Sequence, residues 1–308
     1  MINFIGKCKQ IQDLKEAAKK VAASDVTTLI TGETGVGKEV LANYIWKLSK
    51  RRGAPFVPVS CAALSSSLAE DELFGHVEGA FTGAVTGVKG KIAWAENGVL
   101  FLDEIGDLEP EAQAMLLRFL QFKEYTPIGG AEPVIADVRI IGVTNKNLLD
   151  LISLGRFRKD LYYRFNVISL NVPPLRKRND DILLLADFFL KRLAEAQKIR
   201  KPKVSPKAAK KMLEYHWYGN VRELENTVER AFVFSDKKQI KEEDIRFESV
   251  SGSDLFLPYK EAVYSFKREY IERALDECHW NQTLTAKKLK LQRTYLARLI
   301  KELDISKI

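Results

Sequence analysis

Gly32-Glu33-Thr34-Gly35-Val36-Gly37-Lys38-Glu39 follows an apolar, β-branched run over residues 26–31 and leads into a helical pattern over 40–48. Strand, glycine-rich loop and helix in that order is the setting a phosphate-binding loop requires. Three glycines let the backbone wrap phosphate oxygens with its N–H groups inward, the helix start adds a positive dipole end, and Lys38 supplies a mobile cation for the outer phosphates. Glu39 stands where such loops usually have a Ser or Thr to ligate magnesium. A glycine-rich turn with an incidental lysine is the plainer alternative, and a second motif weighs against it. The apolar run Val99-Leu100-Phe101-Leu102 ends in Asp103-Glu104. That is the place and the chemistry for one carboxylate that organises Mg2+ and a second that polarises an attacking water. Together the two motifs read as hydrolysis of a nucleoside triphosphate.

Working outward, β-rich runs at 26–31, 56–60, 99–102, 138–143 and 167–170 alternate with amphipathic stretches. The alternation predicts an α/β fold, a parallel sheet flanked by helices. Each run is apolar on both faces, as doubly covered strands are, and each is followed by a polar or glycine-containing turn where ligand chemistry usually sits. Pro110 suits a first helical turn, and Ala112, Leu116, Phe119 and Leu120 make one apolar stripe after it. Past Pro173-Pro174 only helical patterns remain, at 180–193, 205–215 and 220–234, with no strand pattern among them. Residues 247–258 mix Ser, Gly and Asp and close on Pro, which reads as a linker. The expected division is an α/β core over 1–172, a small all-α domain over 173–246, the linker 247–258 and a third unit over 259–308.

The third unit carries two helical patterns joined by a short turn, 284–289 with Ala286, then 293–303 with Leu296, Leu299, Ile300 and Leu303 as the buried stripe. This is helix-turn-helix patterning. Residues 284–308 hold seven Lys or Arg against two acids, a balance suited to nucleic-acid phosphates. A basic hairpin that only dimerises is the alternative.

A chain of 308 residues, 46% hydrophobic and 29% charged, has enough apolar content for two or three domains with cores. That excludes a disordered tail protein and a disulfide-stapled miniprotein. The net charge of +8 suits a polyanion partner without identifying one. Cys8, Cys61 and Cys278 are odd in number and far apart, so neither a disulfide framework nor a zinc site is readable and a reducing compartment is expected. No run approaches the ~18 apolar residues of a membrane span, and the start lacks a signal-peptide pattern. A cytoplasmic protein without a membrane partner is expected.

Between the two phosphate motifs, Leu73-Phe74-Gly75-His76 leads into Gly79-Ala80-Phe81-Thr82-Gly83-Ala84. Glycines and small residues around one exposed Phe make a poor core element, because they cost ordering entropy and bury little. A loop suited to movement is the reading, and a surface loop without a partner the alternative. This GAFTGA hexapeptide resembles the signature of sigma-54-dependent transcriptional activators, a branch of the AAA+ ATPases. The resemblance extends through Phe101-Leu102-Asp103-Glu104-Ile105, Val143-Thr144-Asn145, the run 157–164, Pro173-Pro174-Leu175-Arg176 and Gly219-Asn220-Val221-Arg222-Glu223-Leu224. The C-terminal patterning is similar to the Fis-type DNA-binding domain that ends many of these proteins.

The resemblance implies an ATPase with Mg2+ that binds double-stranded upstream DNA and works as a homo-oligomer, a hexamer. Its Gly79–Ala84 loop would grip the sigma-54 RNA polymerase holoenzyme through Phe81 and Thr82, and open the closed promoter complex. By the same resemblance Gly32 to Glu39 bind the nucleotide, with Lys38 on the β- and γ-phosphates. Asp103 organises the metal, Glu104 positions the water, and Asn145, with Thr144 beside it, senses the γ-phosphate. Arg158 and Arg164 match arginine fingers that reach a neighbouring subunit's site, a contribution of ~10³ to 10⁵ in rate. Arg222 matches the second sensor, which closes the small domain over the nucleotide. Arg293, Thr294, Tyr295 and Arg298 would face the major groove or its phosphates.

Departures stand beside the matches. Ser60 occupies the place of an Asn whose amide restrains the catalytic glutamate, and a serine hydroxyl is shorter. Val77 and Glu78 differ from the usual residues before the hexapeptide, Tyr218 replaces a Pro, and Lys290 sits where the turn commonly has Gly. About 25 residues precede the first core strand, too few for a receiver or ligand-sensing domain. Control by a separate regulatory protein and origin in a longer chain both stay open. The rival function is a nucleotide-binding, DNA-binding regulator that does not remodel sigma-54; a general AAA+ remodeller is a third.

Overall fold

Five strands form one parallel sheet in the computed structural model, which describes residues 4–63, 66–247, 264, 267, 270, 271, 274, 275, 278, 280–289, 291–303 and 305. They are β1 (Thr28–Thr31), β2 (Phe56–Ser60), β3 (Val99–Asp103), β4 (Arg139–Thr144) and β5 (Ile168–Asn171), in the order β2-β3-β4-β1-β5. The ends lie within two residues of the sequence expectation. Register aligns Thr31 with Thr144 and Asn171, and Ser60 with Asp103. The carboxyl ends of the strands therefore reach one edge of the sheet together, where open α/β sheets bind ligands.

β3 and β4 are buried nearly throughout, which is why they read as unbroken apolar runs. Alternation along β3 sends Leu100 and Leu102 to one face and Val99 and Phe101 to the other. The first face packs against α3 (Pro110–Phe122) through Leu116 and Phe119, and against Leu161 and Phe165 of α4 (Lys159–Phe165). The second is covered by α1 (Lys9–Ala22) with Ile11 and Leu14, and by α2 (Lys38–Leu48) with Leu41 and Ile45. Each such large side chain stabilises the layers by ~1.5–3 kcal/mol.

α5 (Asn179–Ala196), α6 (Pro206–Glu214) and α7 (Asn220–Phe234) build the smaller helical part. The expectation of helices alone is corrected here: Lys203–Val204 and Gln239–Ile240 pair as a two-residue parallel ladder. Pro206 holds Ser205 before it extended, and two residues are too short to show a period. Ser205 starts α6 by accepting the Ala208 N–H at 3.2 Å.

The described residues divide into two compact units, Met1–Arg246 and Phe247–Ile308. In the second, Asn281 caps α8 (Gln282–Lys288) by accepting from Thr283 and Leu284, so this helix begins two residues earlier than expected. α8 and α9 (Arg293–Glu302) share a core with Ile271, Leu275, Ala286, Leu296, Leu299 and Leu303. Leu284 is exposed. Lys290 and the expected linker beyond Phe247 lie outside the described residues. Among those described, no helix is long and apolar enough to cross a membrane.

Candidate functional site

The loop after β1 is shaped by glycine. Gly35 has φ +77°, and a Cβ there would stand 2.3 Å from the Gly219 carbonyl, so only glycine permits this approach. Gly37, at φ +101°, precedes α2, and no side chain caps that helix start; its first N–H groups are of the kind that receive an anion. Lys38 is buried and donates to the Gly32 carbonyl at 2.9 Å and to Glu104 at 3.3 Å. Glu104 also accepts the Asn145 N–H at 2.7 Å, from a left-handed backbone with φ +56°. Burial and the Glu104 carboxylate hold Asp103 above its ordinary carboxyl value, with Lys38 opposing. A paired carboxylate of that kind favours a cation, and one or two carboxylates plus phosphate oxygens is how Mg2+ is usually held.

Thr34, Gly35, Gly37, Lys38, Glu39, Ser60, Asp103, Glu104, Asn145 and Arg222 line one cleft of about 590 Å³. Other predicted residues point elsewhere. Val36 is buried, and its carbonyl accepts from Arg178 at 2.8 Å. The Glu33 carboxylate is turned to Arg176. Thr144 is buried and accepts the Lys146 N–H at 3.0 Å. Ser60 shares the cleft, but the hydrogen bonds of the Glu104 carboxylate run to Lys38 and Asn145.

Sequence reading missed a second, apolar hollow of about 320 Å³ that shares Gly37, Val40, Val221 and Glu225 with the cleft. Phe4, Ile5, Leu185 and Phe188 line it. These residues come from the first segment and from α5, and no motif links them; only the tertiary fold places them beside the phosphate loop.

Arg158 is exposed and forks onto Asp160 at 3.0 and 2.8 Å, while Arg164 is exposed on α4. Neither is among the residues lining the cleft of its own chain. The segment before α4 is positioned by buried Gln113, which accepts the Arg158 N–H at 2.8 Å and donates to Leu108 and Arg156 carbonyls.

Gly79 to Ala84 form a closed turn between two short paired strands, Gly75–His76 and Val88–Lys89. Gly79 and Gly83 take φ of +78° and +107°, and the Gly79 N–H donates to the Ala84 carbonyl at 2.8 Å. Phe81 is 48% exposed and not a free tip: its ring meets the edge of His76 at 4.9 Å. His76 is held between Asp71 and the Thr86 carbonyl at 2.5 and 3.0 Å. In the C-terminal unit Arg293, Thr294, Tyr295 and Arg298 are all exposed, and the Arg298 guanidinium lies 5.2 Å over the Tyr295 ring.

Comparison with known proteins accords with this geometry. A sigma-54 interaction domain matches residues 4–171, an AAA+ ATPase lid domain 176–254, and a bacterial regulatory protein of the Fis family 265–303. The nitrogen fixation protein AnfA of Azotobacter vinelandii is 42% identical over 99% of this chain and 58% of its own length. The transcriptional regulatory protein ZraR of Salmonella typhimurium is 41% identical over 96% of this chain and 68% of its own. The crystal structure of NtrX from Brucella abortus in complex with ADP superposes with a TM-score of 0.76 at 32% identity, covering 99% of this chain and 70% of NtrX. NtrX has also been solved with ATP. The chain thus spans less than two thirds of the length of AnfA. With a sigma-54 interaction domain over more than half its residues, followed by the lid and the Fis-type helix-turn-helix, the chain belongs to the family of sigma-54-dependent transcriptional activators.

Proposed function

We propose that this chain hydrolyses ATP and couples the hydrolysis to opening of the promoter complex formed by the sigma-54 RNA polymerase holoenzyme. The observation that carries the proposal is the meeting of Lys38, Asp103, Glu104, Asn145 and Arg222 in one cleft with an apolar hollow adjoining it. A polar cleft beside an apolar one suits a triphosphate and a purine base, with Phe4, Val40, Leu185 and Phe188 around the base. Asp103 would hold a Mg2+ ion, which would supply charge neutralisation at the transferring phosphoryl group. Lys38 binds the outer phosphates, Glu104 takes or orients the proton of the attacking water, and Asn145 reads the terminal phosphate. Arg222 brings the lid onto the nucleotide.

The division of labour follows the expected domains, 1–172 for hydrolysis, 173–246 as lid, 247–258 as tether and 259–308 for upstream DNA, all in the cytoplasm. In a ring, a hexamer by family habit, Arg158 and Arg164 complete the neighbour's site. Phe81 and Thr82 contact sigma-54. A separate regulatory protein or a further domain would control the cycle. The test is Phe81→Ala in the full chain, with hydrolysis and open-complex formation measured in parallel. The expected outcome is hydrolysis within about threefold of the parent and open complexes lowered at least ~100-fold, a split that follows when a contact acts on output and not on chemistry. Open complexes that survive Phe81→Ala would overturn the role given to this loop, and hydrolysis by the parent chain that yields no open complexes would favour a nucleotide-binding DNA regulator that does not remodel sigma-54.

A further inference from the structure

Glu33 and Thr34 sit inside the phosphate loop, yet their side chains are engaged on other business. On the lid side, Arg176 donates from Nη1 and Nη2 to the two Glu33 carboxylate oxygens at 2.8 and 2.6 Å. Such a fork is both strong and directional. Asn220, wholly buried, adds its Nδ2, donating to Glu33 Oε2 at 3.2 Å and to the Thr34 carbonyl at 3.0 Å, while its Oδ1 accepts the Leu175 N–H at 2.8 Å. Arg176 holds the Glu33 carboxyl below its ordinary value; burial, the next largest effect, opposes it, and Asn220 adds to the lowering. One residue on, the Val221 and Arg222 N–H groups of α7 both donate to the Gly35 carbonyl, at 2.9 and 3.2 Å.

On the opposite side, Asn145 donates from Nδ2 to the Thr34 hydroxyl at 2.8 Å, and its own N–H donates to Glu104. Hydrogen bonds therefore run without a break from Arg176 and Asn220 in the lid, through Glu33-Thr34, to Asn145 and Glu104. A loop that only cradled phosphate with its backbone would need neither of these two side chains.

Resting on the nucleotide reading above, we propose that Glu33 and Thr34 are positioning residues that couple the lid to the hydrolytic groups. Arg176 and Asn220 set the shape of the loop through Glu33 and thereby its affinity for any nucleotide. The Thr34 hydroxyl holds the Asn145 amide in a bond with which the terminal phosphate of a triphosphate competes and a diphosphate does not. Lid closure and triphosphate recognition then act on the same two residues.

The experiment measures equilibrium binding of fluorescent ADP and of a non-hydrolysable ATP analogue to the full chain, with thermal melting and steady-state hydrolysis alongside. Arg176→Gln is expected to weaken both nucleotides alike by about fivefold and to raise KM with kcat held within about twofold, the pattern of lost uniform binding. Arg176→Lys keeps the charge without the fork and gives an intermediate loss. The exchange Glu33→Arg with Arg176→Glu recovers at least half of the loss on a logarithmic scale, which a general weakening of the fold does not do. Thr34→Val, at an exposed position, is expected to raise affinity for the triphosphate analogue relative to ADP by about threefold, as removal of a competing neutral hydrogen bond allows. Nucleotide affinities unchanged in Arg176→Gln, no recovery in the exchange, or equal shifts for both nucleotides in Thr34→Val would each overturn the proposal. A chain that binds nucleotide without hydrolysing it fails the proposed function while these binding ratios still decide the coupling.

Discussion

Glu104 shows how much a single position is asked to do. It holds a left-handed backbone that a non-glycine residue adopts at a cost, and its carboxylate bridges Lys38 and the Asn145 N–H. Strain of this kind concentrates where surrounding contacts over-determine a functional group. Cys61, next to Ser60, shares that environment: burial and the carboxylates of Asp103, Asp107 and Glu104 push its thiol up to about 12. Since the thiolate is the reactive form, Cys61 should be alkylated by iodoacetamide at pH 8 at least ~10-fold more slowly in the folded chain than in urea. Peptide mapping reads the two rates, and equal labelling would contradict the buried, proton-retaining thiol.

The elements divide into those whose periods the sequence displays and those it hides. The five core strands and the helices of the lid were readable because doubly covered strands are apolar throughout and amphipathic helices repeat every three or four residues. The lid's two-residue strands, the hollow lined by Phe4 and Phe188, and the seat of Phe81 on His76 were not readable. Each depends on residues far apart in the chain or on too few to show a repeat. Among the described residues the largest fully buried side chain is that of Trp217 in the lid, with its indole N–H donating to the Met212 carbonyl at 2.8 Å. Trp217→Ala removes a large aromatic and a hydrogen bond together, and the expected loss is ~3–5 kcal/mol in chemical denaturation. Such a loss should loosen the lid and weaken nucleotide binding in the same variant.

At the scale of the whole molecule, the cleft has its phosphate loop, acidic pair and lid arginine from one chain, while Arg158, just before α4, and Arg164, on α4, are exposed and outside it. The Arg158 guanidinium is held by Asp160 and must leave that carboxylate to act elsewhere. If the sites are shared between neighbours, mixing inactive Lys38→Ala and Arg164→Ala chains rebuilds intact sites. Random mixing in equal amounts would restore about a quarter of the parent activity, because half of the sites keep Lys38 and half of those face an intact Arg164. Hydrolysis measured against the mixing ratio checks this, and a mixture no more active than its components would rule out a shared site.

What the amino-acid sequence determined alone was local: a strand, a glycine loop and a helix in succession, an acidic pair at a strand end, a hexapeptide with no core-forming character, and a basic pair of helices. These follow from backbone freedom and side-chain period over a few neighbouring residues, and so survive as a string of letters. Tertiary structure alone decided which face each loop residue presents. It turned Glu33 to Arg176 and away from the cleft, put Thr34 against Asn145, and brought Phe4 beside Val40. The reason is physical: hydrogen-bond direction and apolar enclosure are properties of atoms within a few ångströms, and residues 33, 145, 176 and 220 become neighbours only when the sheet and the lid have closed around the loop.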